Sequence, residues 1–442
     1  MQRTHWLRTA TVVAAVAAAS AAAQAAAGIF IVSEGIKSPS VLQGAPGKST
    51  QANSFQWGVG RGIGNVGNRR EVGPAMLSDI TWTQLYDSSY NAMSERLLTH
   101  KVGKTDVLFG RTGQKGMFEA SLEIKTTGSA FTALSVSSAG ERPSVSASQT
   151  FGQFEFNYKA IDPKTGKPGA PQPLSYDRET ATLASSSVNR LKNERGNAGS
   201  NEASGLYLRL GSGGNRIMGD STDRGYEDWI KLDSFQMGLG VGVALPAGAG
   251  GELKFSQPSI SEVTLSHAFD GAALAILADV LVGTRGRQAT LELVERGGNG
   301  KPVTTMQLEL DNVLFSGISF SSGGGGLPNV SDSLNFSGYT QRIWDIDPRS
   351  GLRSDKASVF SWDMLTGKVR DAADAPAMAA GFFGTGNLSG LNTAAAEIQL
   401  PPAGGLAPVP EPSTYAMLLL GLGALGATAR RRARETSARP RR

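Results

Sequence analysis

Apolar residues recur along this chain mainly with the period of a strand. Phe151, Phe154, Phe156 and Tyr158 flank polar positions at mostly two-residue spacing. Leu291, Leu293, Met306, Leu308 and Leu310 do the same on either side of a turn at 297–302. That spacing puts alternate side chains on one face and predicts half-buried strands. Two stretches break the pattern. After Asp87-Ser88-Ser89, any of which can cap free N–H groups, Met93, Leu97 and Leu98 share one helical face. Asp270 likewise precedes residues 272–282, where Leu274, Leu277 and Leu281 align. The expected fold class is mainly β, with one short α-helix in each half of the chain's middle, in the manner of a small β-barrel. The ends differ again, with continuous apolar runs over 10–23 and 415–429.

The two strand-rich halves repeat each other. Ile29-Phe30-Ile31 answers to Leu206-Tyr207-Leu208 at an offset of 177, and Ser54-Phe55-Gln56-Trp57-Gly58-Val59-Gly60 to Ser234-Phe235-Gln236-Met237-Gly238-Leu239-Gly240 at 180. Ser78-Asp79-Ile80-Thr81 returns as Ser261-Glu262-Val263-Thr264 and Tyr86-Asp87 as Phe269-Asp270, both at 183. Ile161-Asp162-Pro163 with Gly166 returns as Ile346-Asp347-Pro348 with Gly351 at 185. One block, Ala120-Ser121-Leu122-Glu123-Ile124, pairs with Ala289-Thr290-Leu291-Glu292-Leu293 at 169, so a loop before it is longer in the first copy and a later loop is longer in the second. A duplicated unit is the economical reading. It places the copies at 28–170 and 204–366. Between them, residues 171–203 are polar and read as a linker, and 367–408 form an Ala/Gly/Pro spacer.

Composition narrows the chemistry. A 40% hydrophobic content supports packed cores, and 56 Gly suit many tight turns. The absence of Cys removes disulfides, thiolate metal sites and thiol nucleophiles. The formal charge of +5 belongs to the ends: residues 1–27 carry +2 and residues 413–442 carry +6, which leaves −3 for the middle. The basic balance therefore gives no reason to expect a nucleic-acid partner.

Both ends read as addresses. Residues 1–27 run from Arg3 and Arg8 through the apolar stretch to small residues, the order of a secretory signal peptide, with cleavage by signal peptidase expected after Ala25 or Ala27. Near the other end, Val409-Pro410-Glu411-Pro412-Ser413-Thr414 precedes an apolar run closed by Arg430-Arg431-Arg432. The run is short for a span, for which ~20 residues are usual, and the three Arg act as a cytoplasmic stop. Over residues 409–434 the arrangement resembles the PEP-CTERM sorting signal. That resemblance implies an exosortase as processing enzyme, a transient inner-membrane anchor through a C-terminal hydrophobic helix, and a final place at the cell surface or outside the cell.

A second resemblance covers the middle. Gly219-Asp220-Ser221-Thr222-Asp223-Arg224-Gly225-Tyr226, leading through Trp229-Ile230-Lys231-Leu232 to Ser234-Phe235, is similar to the N-terminal region of the Hcp family of type VI secretion tube proteins. There a G-x-S-x-D-x-G-H loop leads into a strand ending S-F-x-x-G; Tyr226 stands where the family often has His. The first copy resembles the family from Gly28 to about Pro168 without the S-x-D-x-G loop. The resemblance implies two tandem small barrels and a ring-like homo-oligomer. The leader, the duplication and the sorting tail depart from the family pattern and put a tube role in doubt.

Other motifs are weaker. Gly62-Ile63-Gly64-Asn65-Val66-Gly67 spells a dinucleotide fingerprint, but the residues after it start a helix poorly, and a Gly-rich hairpin loop is the simpler reading. Gly47-Lys48-Ser49 lacks the earlier Gly of a P-loop, where Leu42 stands. His100 and His267 do not align between copies. Asp220, Asp223, Glu227 and Asp228 offer at most a calcium site. Trp57, Trp82, Trp229 and Trp344 fall on expected strands, where core packing competes with a sugar-stacking platform. No catalytic residue, metal site or cofactor is expected. The sequence thus points to an exported, non-enzymatic protein acting in assembly, adhesion or matrix. The alternatives are a carbohydrate- or ice-binding module, a type VI-related tube component, and a hydrolase of unseen site.

Overall fold

The structure, a computed structural model of the 442-residue chain, describes residues 27–38, 47–66, 69–112, 118–140, 142–160, 168–184, 202–212, 216–244, 254–256 and 258–370. The first half contains β1 (Ala27–Ser33), β2 (Thr50–Val66), β3 (Arg69–Leu77), β4 (Ile80–Leu85), α1 (Ser89–Leu98), β5 (Gly103–Thr112), β6 (Phe118–Ser137), β7 (Ser144–Thr150), β8 (Gln153–Tyr158), β9 (Gln172–Asp177) and β10 (Thr182–Ala184). Its antiparallel pairings form a closed cycle: β1 with β2, β2 with β4, β4 with β7, β7 with β6, β6 with β5, and β5 with β1. Period-two burial drives the cycle. Ile80, Trp82 and Gln84 of β4 point inward, as do Phe154, Phe156 and Tyr158 of β8. β6 is long enough to pair with β5 and β8 through its first part and with β7 through its last. β9 and β10 continue outward from β8.

The second half contains β11 (Gly205–Leu210), β12 (Ile230–Leu232), β13 (Ser234–Gln236), β14 (Leu239–Gly240), β15 (Val243–Ala244), β16 (Lys254–Phe255), β17 (Ser259–Ile260), β18 (Val263–Ala268), α2 (Gly271–Val282), β19 (Arg287–Arg296), β20 (Pro302–Ser322), β21 (Asn329–Asn335), β22 (Gly338–Ile343), β23 (Ser358–Asp363) and β24 (Lys368–Val369). Its pairings follow the same order. β11 pairs with β12, β13 with β18, β18 with β21, β21 with β20, β20 with β19, and β19 with β11. β12 and β13 act as one strand interrupted at Asp233. β22 to β24 leave β20 as β8 to β10 leave β6. Each long strand also carries one extra residue at a matching place, between Phe131 and Ala133 opposite β7 and between Phe315 and Gly317 opposite β21.

Several expectations are corrected. The segment from Pro171 is not all linker: Leu174 and Tyr176 of β9 are buried against β8, so the first half runs on to Ala184. Gly62 and Gly64 lie within β2, and the hairpin turn comes after Val66. Trp229 and Trp344 flank strands rather than lie in them. On α1, Met93 is buried but Leu98 is 76% exposed, and Arg96 takes the inner face instead. Its guanidinium donates to the Glu34 carbonyl at 2.8 Å and lies 5.6 Å from the Phe131 ring centroid. α2 is buried on every side rather than along one stripe, because it packs against β20 of its own half and against β2, β3 and β10 of the other.

Asp270 begins α2 from an extended backbone, and its carboxylate accepts from the Ala272 and Ala273 amides at 3.0 and 3.2 Å. Asp270→Ala is expected to lower unfolding stability by about 1–2 kcal/mol and Asp270→Asn by less, since it keeps an acceptor. Urea denaturation of the two variants checks this.

Candidate functional site at the junction of the halves

The halves meet through the backbone. Phe55–Gly60 of β2 pairs antiparallel with Gly317–Ser322 of β20, placing Trp57 opposite Phe320, Val59 opposite Ile318 and Gly60 opposite Gly317. On its other side β2 pairs with β4 and β3, so one sheet passes from the first half into the second. Alternation sends Trp57 and Phe320 to the same face, where their rings stack at 5.6 Å with planes 10° apart. Trp57 also meets Phe154 and Phe156 at 5.1 and 5.4 Å, and Tyr158 meets Phe269 edge-on at 5.1 Å. Each such aromatic pair is worth roughly 0.5–1.5 kcal/mol beyond its area burial. Trp57 is 1% and Trp82 2% exposed, so neither indole offers a face to a sugar.

Arg61 seals the junction from the first half. Its Nε and Nη2 donate to the carbonyls of Val280 and Leu281, and Nη1 donates to Gly73 at 2.6 Å. Those helix carbonyls have no intrahelical partner, and a cation there matches the negative end of the α2 dipole. Burial pulls the Arg61 guanidinium below its ordinary value. Beside the junction opens a recess of about 450 Å³, whose walls include Ser54, Thr81, Thr83, Ser146, Ser321 and Asn329 and carry no ionisable side chain. Its polar chemistry is confined to hydroxyl, amide and backbone hydrogen bonds.

The acidic loop serves the second half itself. Asp223 accepts from the Tyr207 hydroxyl at 2.5 Å and from Lys231 Nζ at 2.8 Å, and Glu227 accepts from the Gly225 amide at 3.0 Å. Despite opposing burial, the Lys231 and Tyr207 bonds hold the Asp223 carboxyl below its usual range. Tyr226 stacks on Tyr207 at 4.4 Å and donates to Glu292 at 2.6 Å; burial and that carboxylate raise its pKa. Gly219 begins the loop where a Cβ would lie 2.5 Å from the Trp229 carbonyl, which admits only glycine. Among the described residues no three His, Asp or Glu converge on a metal-sized site.

His267 is the one deeply buried imidazole among the described residues. Nε2 lies 3.0 Å from Asp332 Oδ2, Nδ1 lies 2.8 Å from the Ala268 carbonyl, and Asp270 is 4.0 Å away. Burial opposes its charge, but Asp332 and Asp270 outweigh that and raise the pKa to about 9. Burial raises Asp270 to about 6. Both sequence motif and periodicity missed this pair, since its members lie 65 residues apart.

Of the expected processing residues, Ala27 is the first residue of β1, opposite Arg111. Ala25, Val409, Pro410, Glu411, Pro412, Ser413, Thr414, Arg430, Arg431 and Arg432 lie outside the described residues. Among the described residues no helix is long and apolar enough to cross a membrane.

Comparison with known proteins gives two family matches. Residues 207–343 match the family described as the type VI secretion system effector Hcp, and residues 408–432 match the PEP-CTERM protein-sorting motif. Among solved structures, one described as a type six secretion system protein is 20% identical with a TM-score of 0.34, covering 38% of this chain and 100% of that one. Hcp1 from Salmonella typhimurium is 13% identical with a TM-score of 0.29, over 36% of this chain and 99% of its own. A type VI secretion system effector from Yersinia pestis is 18% identical with a TM-score of 0.25, over 34% and 98%. A search of curated proteins finds no match. The chain thus carries an Hcp-family segment in its second half and a sorting motif near its end.

Two outcomes test the site. Trp57→Ala should cost roughly 3–5 kcal/mol, read by denaturant unfolding, because it empties the aromatic contact between the halves. The folded chain holds the His267 proton more tightly than the unfolded chain does. That contribution is complete below about pH 6.5 and lost as pH rises through about 9. The raised Asp270 acts in the same direction between its ordinary 3.8 and about 6. Stability should therefore fall across the alkaline window, and His267→Gln, which bonds Asp332 without titrating, should flatten that fall in unfolding curves taken at stepped pH.

Proposed function

We propose that this chain is an exported, non-enzymatic envelope or extracellular protein, built from two tandem Hcp-like barrels and acting in assembly, adhesion or matrix. The observation that carries this reading is the presence in one chain of an Hcp-family segment and a PEP-CTERM motif. Support for the tandem comes from the closed six-strand cycle that both halves repeat, down to the extra residue before Ala133 and Gly317. The chemistry agrees with a role played by surfaces. The recess at the junction holds no acid, base or nucleophile poised by a partner, and the strongly perturbed ionisable groups, Tyr226, His267 and Asp270, are all held in structural hydrogen bonds.

In this reading signal peptidase removes the leader. Cleavage after Ala25 leaves β1 whole, whereas cleavage after Ala27 removes its first residue and the pairing with Arg111. The run over 415–429 then anchors the precursor in the inner membrane with Arg430, Arg431 and Arg432 inside, and an exosortase acts at residues 409–414. Pro410 and Pro412 disfavour helix in that stretch, which suits recognition by a protease. Of the expected spacer 367–408, Lys368 and Val369 pair with β23, so only the part after residue 370 serves as a spacer between the folded halves and the membrane.

Replacing Pro410-Glu411-Pro412 by Ala-Ala-Ala is expected to leave the protein in the inner membrane, read by fractionation and immunoblotting. Release at the natural level would overturn the sorting assignment.

A further inference from the structure

The sheet that crosses the junction has an outer face as well as the inner one that holds Trp57 and Phe320. Pairing and alternation together fix what it carries. One row runs through Ser148, Thr81, Gln56, Ser321 and Asn329 across β7, β4, β2, β20 and β21. The next runs through Gly58, Ser319, Ser331, Ser266 and Ser234 across β2, β20, β21, β18 and β13. Ser146, Thr83 and Ser54 add a short third row. All these positions are exposed or half-buried, while residues between them, such as Phe55, Trp82 and Ile318, are buried. None of them carries a charge or a ring.

This is a property of the face and not of the composition. Charged residues make up 18% of the chain, and they occupy the outer faces elsewhere. Asp106, Lys125 and Glu155 lie side by side on β5, β6 and β8, and Glu292, Gln307 and Arg342 on β19, β20 and β22. On the charge-free face, β4, β2, β20 and β21 are each paired on both sides, which holds their hydroxyl and amide groups rigidly at the strand spacing of about 4.8 Å. The recess of about 450 Å³ opens where the first and third rows meet, and its size falls within the roughly 300–1,000 Å³ of small-molecule sites.

The chemistry of the rows selects the partner. A hydroxyl or carboxamide both donates and accepts, so it suits groups that do the same. A charged partner would give up water and meet no counter-charge on these rows. A protein partner would find no apolar side chain there against which to bury its own. We infer that this face binds an uncharged polysaccharide, laid across the strands with one sugar seated in the recess, an inference that rests on the matrix reading above. Sugar hydroxyls exchange bonds to water for bonds to the rows, so each contact gains little, and no ring on the face adds stacking. Affinity comes instead from many sugars engaged at once on side chains that have little rotamer freedom to lose.

The full-length chain, purified in mild detergent, is run in native gels cast with dextran, galactomannan or mixed-linkage β-glucan, and with alginate as the anionic contrast. At least one neutral polymer should retard it about tenfold more strongly than alginate does. Ser321→Glu and Ser146→Glu each place a carboxylate at an exposed position on the recess wall, and each should weaken that retardation about tenfold. Ser321→Asn should keep it, and all three variants should melt with the natural chain. No retardation by any of the neutral polymers overturns the inference, as does equal retardation by alginate or retardation that both Glu variants retain. Light scattering tests the other occupant. A mass above that of one chain, returned to a single chain by Ser321→Glu, would mean that a second copy covers the face and would also overturn the inference. None of these outcomes touches export or sorting, which the fractionation experiment reads separately.

Discussion

The arrangement of the halves depends on a short run of backbone hydrogen bonds between Phe55–Gly60 and Gly317–Ser322. An exposed strand edge is a costly thing to leave unsatisfied, and here each half covers one edge of the other. Once the backbones are in register, alternation decides the side chains. Trp57 and Phe320 come to lie on the inner face, and the aromatic contacts of β8 and Phe269 close round them. α2 could not exist in its present form without this contact. A helix reading Gly-Ala-Ala-Leu-Ala-Ile-Leu-Ala-Asp-Val-Leu-Val is apolar on every side, and a helix of that kind needs protein on every side.

Charged groups inside the described structure follow the same logic of local satisfaction. Arg61 and Arg96 each give up solvent for backbone carbonyls, one at the end of α2 and one beside α1. Asp279, in the last turn of α2, pairs with Arg287 at the start of β19. A buried charge left without a partner would cost several kcal/mol, so these bonds fix geometry more than they add stability. With no disulfide available anywhere in the chain, burial and such bonds carry the whole fold.

Much of the architecture was legible because periodicity and repetition are local or ordered signals. The alternation of Phe154, Phe156 and Tyr158 read directly as a buried strand face, and the Asp270 cap with its following apolar run read as a helix. Matching blocks at nearly constant offset suggested a duplicated unit but said nothing of which strands pair. What stayed hidden depended on contacts between distant segments. β9 looked like linker because residues 171–203 are polar as a stretch, and only Leu174 and Tyr176 packing against β8 makes it a strand. Leu98 suggested an apolar face for α1, but Arg96 reached a set of carbonyls that no spacing rule reveals. The junction was illegible for the same reason: sequence tells which strands have an apolar face, not which edge of a long strand meets another.

The reach of Arg61 to Val280 spans 219 residues of chain. In synthesis and export the first half emerges long before its partner, and for that interval β2 presents an uncovered edge and Trp57 lacks its stacking partner. Contacts between segments so distant in sequence form late and slowly, after local hairpins have closed. The junction is therefore a kinetic commitment as well as a structural one. A chain crossing the membrane is vulnerable to wrong strand pairing for as long as its second half remains unfolded.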